Sequence, residues 1–200
     1  MKIIFHPVSL IVIALSVWFG LALYMFVCML AVLIHEFGHA IMARRYGVRA
    51  SRITLLPFGA AVSLDCALLP KRSQAMILLS GSFANMVASV VAGSFLWTTP
   101  QFFDVLGIFI VANTVIAVMN LLPFYPLDGG KIVELCGRKW VVMGMRFLSN
   151  IVFSAMFLVS FFVLQNWSFV IFSLCMVYTV NTRAESTYVA TLKEMLKHAR

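Results

Sequence analysis

Long apolar runs are the feature that most constrains the fold of this 200-residue chain. A helix needs about 20 apolar residues to cross a bilayer, and six runs reach or approach that length. They cover residues 6–20, 21–43, 75–97, 102–122, 141–164 and 167–182. With 62% hydrophobic and 11% charged residues, the chain is predicted to be an all-α integral membrane protein with six transmembrane helices.

The basic residues predict the orientation of these spans. All 15 Lys and Arg residues lie before the first span, in the segments 44–74 and 123–140, just inside the fifth span or after residue 182. The remaining connections, near residue 20, at 98–101 and at 165–166, contain none. Because loops rich in Lys and Arg stay in the cytoplasm, both termini are predicted to be cytoplasmic. Residues 1–182 are predicted to form one membrane domain, followed by an amphipathic cytosolic tail at 183–200.

Neither the net charge nor the cysteines predict another class of partner. The charge of +8 is spread over short loops rather than one continuous face, so no nucleic acid partner is predicted. The four cysteines show no C-x-x-C spacing and are interpreted as small apolar side chains. The lipid bilayer is the partner that the composition predicts.

The segment between the second and third spans contains two short apolar stretches, at residues 53–56 and 60–64. Pro57 and Gly59 lie between them and favour a turn. The pattern predicts a small hairpin or re-entrant loop at the membrane boundary, and an ordinary connecting loop is the alternative.

The second span carries three ionisable side chains, His35, Glu36 and His39, in an H-E-x-x-H pattern. A charged group at mid-membrane costs about 2.5–3.5 kcal/mol on insertion scales, so such residues are rare and usually functional. The two histidines are one helical turn apart, which lets both imidazoles bind one Zn²⁺. Glu36 lies beside them, where it can take a proton from metal-bound water. A pair of helix-packing histidines is the structural alternative.

A second polar group follows the fourth span. Since spans two and four both run from outside to inside, Asp128 is expected near the same inner membrane edge as His39. Two histidines and one carboxylate leave one position of a tetrahedral zinc open, as catalytic sites require. Pro123 and Pro126 are expected to unwind the helix before Asp128.

Three further residues around this segment are candidates for supporting roles. Asn120 is expected either to bond the freed backbone or to stabilise an oxyanion or bound substrate. Gly129 and Gly130 are expected to form the tight turn that lets the carboxylate approach the metal.

The two motifs together resemble those of the site-2 proteases, peptidase family M50, which are intramembrane zinc metalloproteases. The resemblance rests on His35-Glu36-x-x-His39 and on Asn120-x-x-Pro-x-x-Pro-Leu-Asp128-Gly. It implies one zinc per chain, bound by the two histidines and the aspartate, with Glu36 activating the water that attacks a peptide bond.

Within the family the chain most resembles bacterial sporulation proteases, which release a transcription (sigma) factor from a membrane-tethered pro-form. The third span keeps Gly81 and Asn85 of the family's Gly-Pro-x-x-Asn segment but has Ser82 in place of the proline. Asn85 is expected to support the site. No CBS or PDZ domain is expected, and the implied partners are a membrane-tethered substrate and membrane regulatory proteins.

The predicted function is therefore intramembrane proteolysis near the cytosolic face of a bacterial cell membrane. A helical substrate must unwind before it is cut, and the predicted hairpin is expected to bind it as an added strand. The residues expected to pair with it are Ile53, Thr54, Leu55, Leu56, Pro57, Phe58 and Gly59. The alternatives are a metal-ion transporter or channel and a non-catalytic escort protein. Glu36 distinguishes them, because transport needs ligands but no general base.

Overall fold

The computed structural model describes residues 2–5, 16–18, 20–48, 52–56, 59–63, 69–96, 98–137, 139–162, 165, 170–171 and 173–181. The chain forms two compact units, Met1–Leu122 and Pro123–Arg200. Each is described by itself.

Three long helices make up most of the first unit: α1 (Ala22–Arg45), α2 (Lys71–Phe95) and α3 (Phe103–Leu121). A single 3₁₀ turn, Pro100–Phe102, precedes α3. Each of the three helices packs against both of the others. Their buried apolar side chains are mostly small, whereas many large ones face outward. This inverted pattern is typical of membrane helices, whose interfaces use small residues and whose outer faces meet lipid.

The end of α1 shows how the sequence terminates a span. Arg44 and Arg45 occupy the last turn, where cations interact favourably with the helix dipole. Gly47 follows with φ of 77°, a left-handed conformation that glycine adopts without strain. The backbone N–H groups of Val48 and Gly47 donate to the carbonyls of Ala43 and Arg44, at 2.9 and 3.0 Å. This is a Schellman ending, which satisfies carbonyls that the helix leaves open.

A small sheet accompanies the helices of the first unit. Its strands are β1 (Lys2–Phe5), β2 (Arg52–Leu56) and β3 (Gly59–Ser63), in the order β1-β2-β3. β2 and β3 form an antiparallel hairpin, which confirms the hairpin predicted between the second and third spans. β1 pairs in parallel with β2 and is an addition to the predicted fold. β3 lies against α1.

The second unit contains α4 (Asp128–Cys136) and α5 (Lys139–Phe162). Its apolar core includes Tyr125, Met145, Phe153 and Val180. The Tyr125 backbone N–H donates to Ser149 Oγ at 3.0 Å, and the Tyr125–Pro126 peptide bond is cis. The hydrogen bond to Ser149 on α5 therefore fixes the position of the segment that precedes α4.

Four of the six predicted spans appear within the described residues as helices long and apolar enough to cross a membrane: Ala22–Arg45, Lys71–Phe95, Phe103–Leu121 and Trp140–Phe162. Residues 16–18, 170–171 and 173–181 are also helical. Most of the first predicted span, part of the sixth and the tail at 183–200 lie outside the described residues.

Candidate metal centre

His35 and His39 lie one turn apart on α1 and are 5% and 7% exposed. Their Nε2 atoms are 3.1 Å apart, and the two rings meet edge to face with centroids separated by 4.6 Å. The spacing in the H-E-x-x-H motif therefore places the two nitrogens side by side inside the helical bundle, as predicted for a metal-binding pair.

The other nitrogen of each ring is held by α2. His35 Nδ1 lies 3.0 Å from Asn85 Oδ1, and His39 Nδ1 lies 2.7 Å from the Ile77 carbonyl oxygen. A carbonyl oxygen only accepts, so His39 Nδ1 carries the proton. The Asn85 amide nitrogen donates instead to the Ala31 carbonyl, at 2.9 Å, so its oxygen accepts from His35 Nδ1. These bonds assign the Nδ1–H tautomer to both rings.

The tautomer determines whether His35 and His39 can bind a metal ion together. In this tautomer the two Nε2 atoms, 3.1 Å apart, are the nitrogens that would bind a metal. Two nitrogens bound to tetrahedral zinc at about 2.0–2.1 Å stand about 3.3 Å apart. Metal-ligating histidines characteristically donate their second ring N–H to an oxygen, which fixes the ring. The pair therefore fits zinc in donor type, spacing and orientation.

Two glycines allow α2 to approach this closely. A Cβ on Gly38 would lie 2.5 Å from the Ser80 backbone oxygen, and one on Gly81 would lie 2.5 Å from His39 Nε2. Such distances are well inside van der Waals contact. The absence of a side chain at Gly81 therefore leaves room for the two imidazoles. The partial match to the Gly-Pro-x-x-Asn segment did not indicate this role.

Glu36 follows His35 directly on α1, and its side chain is half-buried. Its position directly after His35 on α1 follows the spacing of the H-E-x-x-H motif.

In the second unit, Asp128 is the first residue of α4 and is 5% exposed. A carboxylate is favoured at a helix N-terminus by the helix dipole. The Lys131 ammonium lies 2.8 Å from Asp128 Oδ1. The buried carboxylate thus has one oxygen held by a cation from its own helix.

The segment before Asp128 is unwound, as Pro123 and Pro126 predict. α3 ends at Leu121, and residues 122–127 are non-helical. The tight turn expected at Gly129 and Gly130 is wrong, because both residues lie within α4.

The reason for the second glycine is steric. A Cβ on Gly130 would lie 2.5 Å from the Phe124 carbonyl oxygen, so glycine permits close packing of the incoming chain on the helix. Asn120 donates from Nδ2 to the Ile116 carbonyl at 2.9 Å, within α3.

The sheet corrects the expected substrate contact. β2 is the central strand, paired with β1 on one side and with β3 on the other. Ile53, Thr54 and Leu55 therefore have a neighbouring strand on both edges and cannot take a further strand, whereas Leu56 is paired with Gly59 alone. Pro57 and Phe58 lie outside the described residues. Gly59 begins β3, which has one neighbour among the described strands and lies against the helix that carries the histidines.

One residue beside the site was not predicted from the sequence. Asn113 on α3 is fully buried, and its Oδ1 accepts a hydrogen bond from Asn85 Nδ2 at 2.9 Å. The signal that could have found it is a polar amide in the middle of an apolar span, where such groups need a partner.

The fold and the histidine pair together define a multi-pass membrane protein with a metalloprotease-type centre. Residues 23–104 match the model of Peptidase family M50, and this stretch contains the H-E-x-x-H motif and all of α2. This stretch is therefore similar to the M50 domain of the site-2 proteases.

Named relatives agree with this class. Stage IV sporulation protein FB of Bacillus subtilis is 32% identical over 140 residues, covering 70% of this chain and 49% of that protein. Zinc metalloprotease MJ0392 of Methanocaldococcus jannaschii is 32% identical over 124 residues, covering 58% of this chain and 34% of that protein. The chain thus spans about a third to a half of the length of these relatives.

A solved structure shares the fold. Site-2 Protease from Methanocaldococcus jannaschii superposes with a TM-score of 0.66 at 24% identity, covering 90% of this chain and 89% of that one.

Proposed function

We propose that this protein is an intramembrane zinc endopeptidase that cleaves a membrane-associated protein. The observation that carries the proposal is the pair of buried imidazoles, whose Nε2 atoms are 3.1 Å apart and whose Nδ1 atoms are both held by oxygens of α2. A helix-packing role for two histidines explains neither the adjacent Nε2 atoms nor the paired orienting bonds.

The proposed ligands are His35, His39 and Asp128. Two neutral imidazoles and one carboxylate are a common donor set for catalytic zinc, which keeps a position open for chemistry. The Lys131 ammonium, 2.8 Å from Asp128 Oδ1, helps to orient the proposed carboxylate ligand.

The proposed chemistry is hydrolysis of a peptide bond. When bound, zinc supplies Lewis-acid polarisation and lowers the pKa of water. Glu36 acts as the general base: its carboxylate accepts a proton from the attacking water and returns it to the leaving amide nitrogen as the C–N bond breaks. Water thereby adds its hydroxyl to the carbonyl carbon and its proton to the nitrogen.

The proposed substrate-binding edge is the outer edge of β3. Leu56 lies opposite Gly59 across a two-residue connection, which makes them a hydrogen-bonded pair. Bonded and non-bonded pairs alternate along an antiparallel ladder, so Ala60 and Val62 direct their backbone N–H groups outward. An unwound substrate strand could satisfy its own amides there.

Val62→Pro removes one outward N–H and is tolerated on an edge strand. We expect it to reduce cleavage while leaving zinc content unchanged, and Val62→Ala, which keeps the N–H, to cleave normally. Equal cleavage by the two variants would refute binding at this edge.

The proposed substrate class is a membrane-tethered pro-protein, with a transcription (sigma) factor as the particular case. Its support is the resemblance to sporulation proteases and the similarity to Stage IV sporulation protein FB. The proposed location is a bacterial cell membrane with both termini in the cytoplasm, because all 15 Lys and Arg residues fall in segments assigned to that side.

The test is cleavage of a co-reconstituted tethered substrate by wild-type protein and Glu36→Gln, with zinc content measured in the same vesicles. We expect Glu36→Gln to keep zinc and lose cleavage. Asp104→Asn, which changes an exposed carboxylate in the first turn of α3, serves as the matched control. Cleavage by Glu36→Gln would refute the proposed base. Zinc flux into the vesicles without cleavage by the wild type would favour a transporter.

A further inference from the structure

A continuous chain of buried hydrogen bonds crosses the three helices of the first unit behind His35. His35 Nδ1 donates to Asn85 Oδ1, Asn85 Nδ2 donates to Asn113 Oδ1, and Asn113 Nδ2 donates to the Phe109 carbonyl. The last two bonds are 2.9 Å long, and both asparagines are fully buried. Two uncharged amides are thus fixed in series behind one imidazole.

The orientation of the Asn85 amide determines which nitrogen of His35 is available. In the observed orientation its oxygen faces Nδ1, so His35 keeps a proton on Nδ1 and a lone pair on Nε2. An amide rotated by 180° would present its NH₂ group to Nδ1, which would then accept. The proton would move to Nε2, and an Nε2–H cannot ligate a metal.

Asn113 opposes that rotation. Its own NH₂ group is engaged by the Phe109 carbonyl one turn earlier in α3, so its oxygen must face Asn85. A rotated Asn85 would place its oxygen against the Asn113 oxygen and against the Ala31 carbonyl that now accepts from it. A buried oxygen without a donor costs about 1–3 kcal/mol, and here two such conflicts would arise together.

We propose that Asn113 is a positioning residue that acts through Asn85 to hold His35 in the metal-binding tautomer. The inference rests on the proposed function only in naming zinc as the metal, because the tautomer is a property of the metal-free protein. Asn113 itself touches neither imidazole in this arrangement; its effect is transmitted by one amide.

A bond that merely holds α2 against α3 would have a different effect, and the next residue supplies the comparison. Thr114 Oγ1 lies 3.2 Å from Ser89 Oγ and joins the same two helices on their exposed side. Thr114→Val removes that interhelical bond and leaves both asparagines in place. It is therefore the matched control for Asn113→Leu, which replaces the amide with an apolar group of the same branched shape.

The experiment is ¹⁵N NMR of the full chain labelled with ¹⁵N-histidine, metal-free and in detergent micelles. The sequence contains four histidines, so His35 is assigned by comparison with His35→Gln. We expect Nδ1–H at His35 in the wild type and in Thr114→Val, and a substantial Nε2–H population in Asn113→Leu. Zinc affinity, measured by chelator competition, should fall about 10–100-fold in Asn113→Leu alone.

A conservative variant supplies the rescue. Asn113→Asp, which burial keeps protonated, retains an acceptor for Asn85 and an O–H donor for Phe109, so it should keep the wild-type tautomer. Asn113→Ala also removes the amide and should show the same change in tautomer. It serves as the test if the larger leucine side chain prevents folding.

Two results would refute the inference: an unchanged His35 tautomer in both Asn113→Leu and Asn113→Ala, or an equal loss of zinc affinity in Thr114→Val. Absence of proteolysis bears only on the proposed function, since neither readout requires substrate.

Discussion

Adding one methyl group at Gly81 should damage the metal centre more than the fold. In Gly81→Ala the new Cβ would lie 2.5 Å from His39 Nε2 and Cε1 and 2.8 Å from His35 Cε1. Non-bonded heavy atoms pack comfortably at about 3.5–4.0 Å, so the rings must retreat by about 1 Å. They cannot do so freely, because both Nδ1 atoms are bonded to α2, the helix that carries the methyl group.

The expected loss follows from that displacement. A shift of about 1 Å in a catalytic constellation costs about 100-fold in activity. Overpacking costs about 1–3 kcal/mol of stability, partly offset by the gain of about 0.5–1 kcal/mol when alanine replaces a helical glycine. We therefore expect a folded protein with about 100-fold lower cleavage and weaker zinc binding, measured by tethered-substrate cleavage and chelator competition.

Gly93→Ala is the matched control on the same helix. Among the described residues, no atom beyond the adjacent helix backbone lies within 4 Å of a Cβ built at Gly93. This variant should keep zinc affinity and cleavage at wild-type levels. Wild-type zinc affinity in Gly81→Ala, or an equal loss in Gly93→Ala, would refute the steric reasoning.

Three further substitutions test neighbouring contacts. Asn85→Leu removes the oxygen that accepts an imidazole Nδ1–H and should weaken zinc binding about 10–100-fold in chelator competition; full affinity would show that the amide does not orient the ring. Gly38→Ala places a methyl group 2.5 Å from the Ser80 backbone oxygen and should lower unfolding free energy by about 1–3 kcal/mol, whereas a neutral result would contradict the close helix contact. Lys131→Met removes the ammonium 2.8 Å from Asp128 Oδ1 and should weaken zinc binding about tenfold. Unchanged affinity would show that this ion pair does not orient the carboxylate for zinc binding.

Features set by local spacing were predictable from the sequence. His39 lies four positions after His35, so any helix through them puts both on one face. Pro123 and Pro126 cannot continue a helix, and α3 ends before them. Pro57 and Gly59 between two apolar stretches indicated the hairpin that β2 and β3 form.

Features set by tertiary contacts were not predictable in the same way. β1 pairs in parallel with a strand about fifty residues away, and parallel pairing leaves no turn signature in the sequence. Gly129 and Gly130 looked like a turn because glycine pairs often are, but packing of Phe124 against α4 is what requires the second one. The position of Asn113 in an apolar span indicates a buried amide, but the sequence does not identify the hydrogen-bond partner of that amide.

Zinc-edge X-ray absorption on the purified protein tests the proposed centre most directly. Two imidazole nitrogens and carboxylate or water oxygens should appear at about 2.0–2.2 Å, and the spectrum should change in Asp128→Asn but not in Asp104→Asn. A sulfur ligand at about 2.3 Å, a single imidazole, or an Asp128→Asn spectrum identical to the wild type would contradict the ligand set of His35, His39 and Asp128.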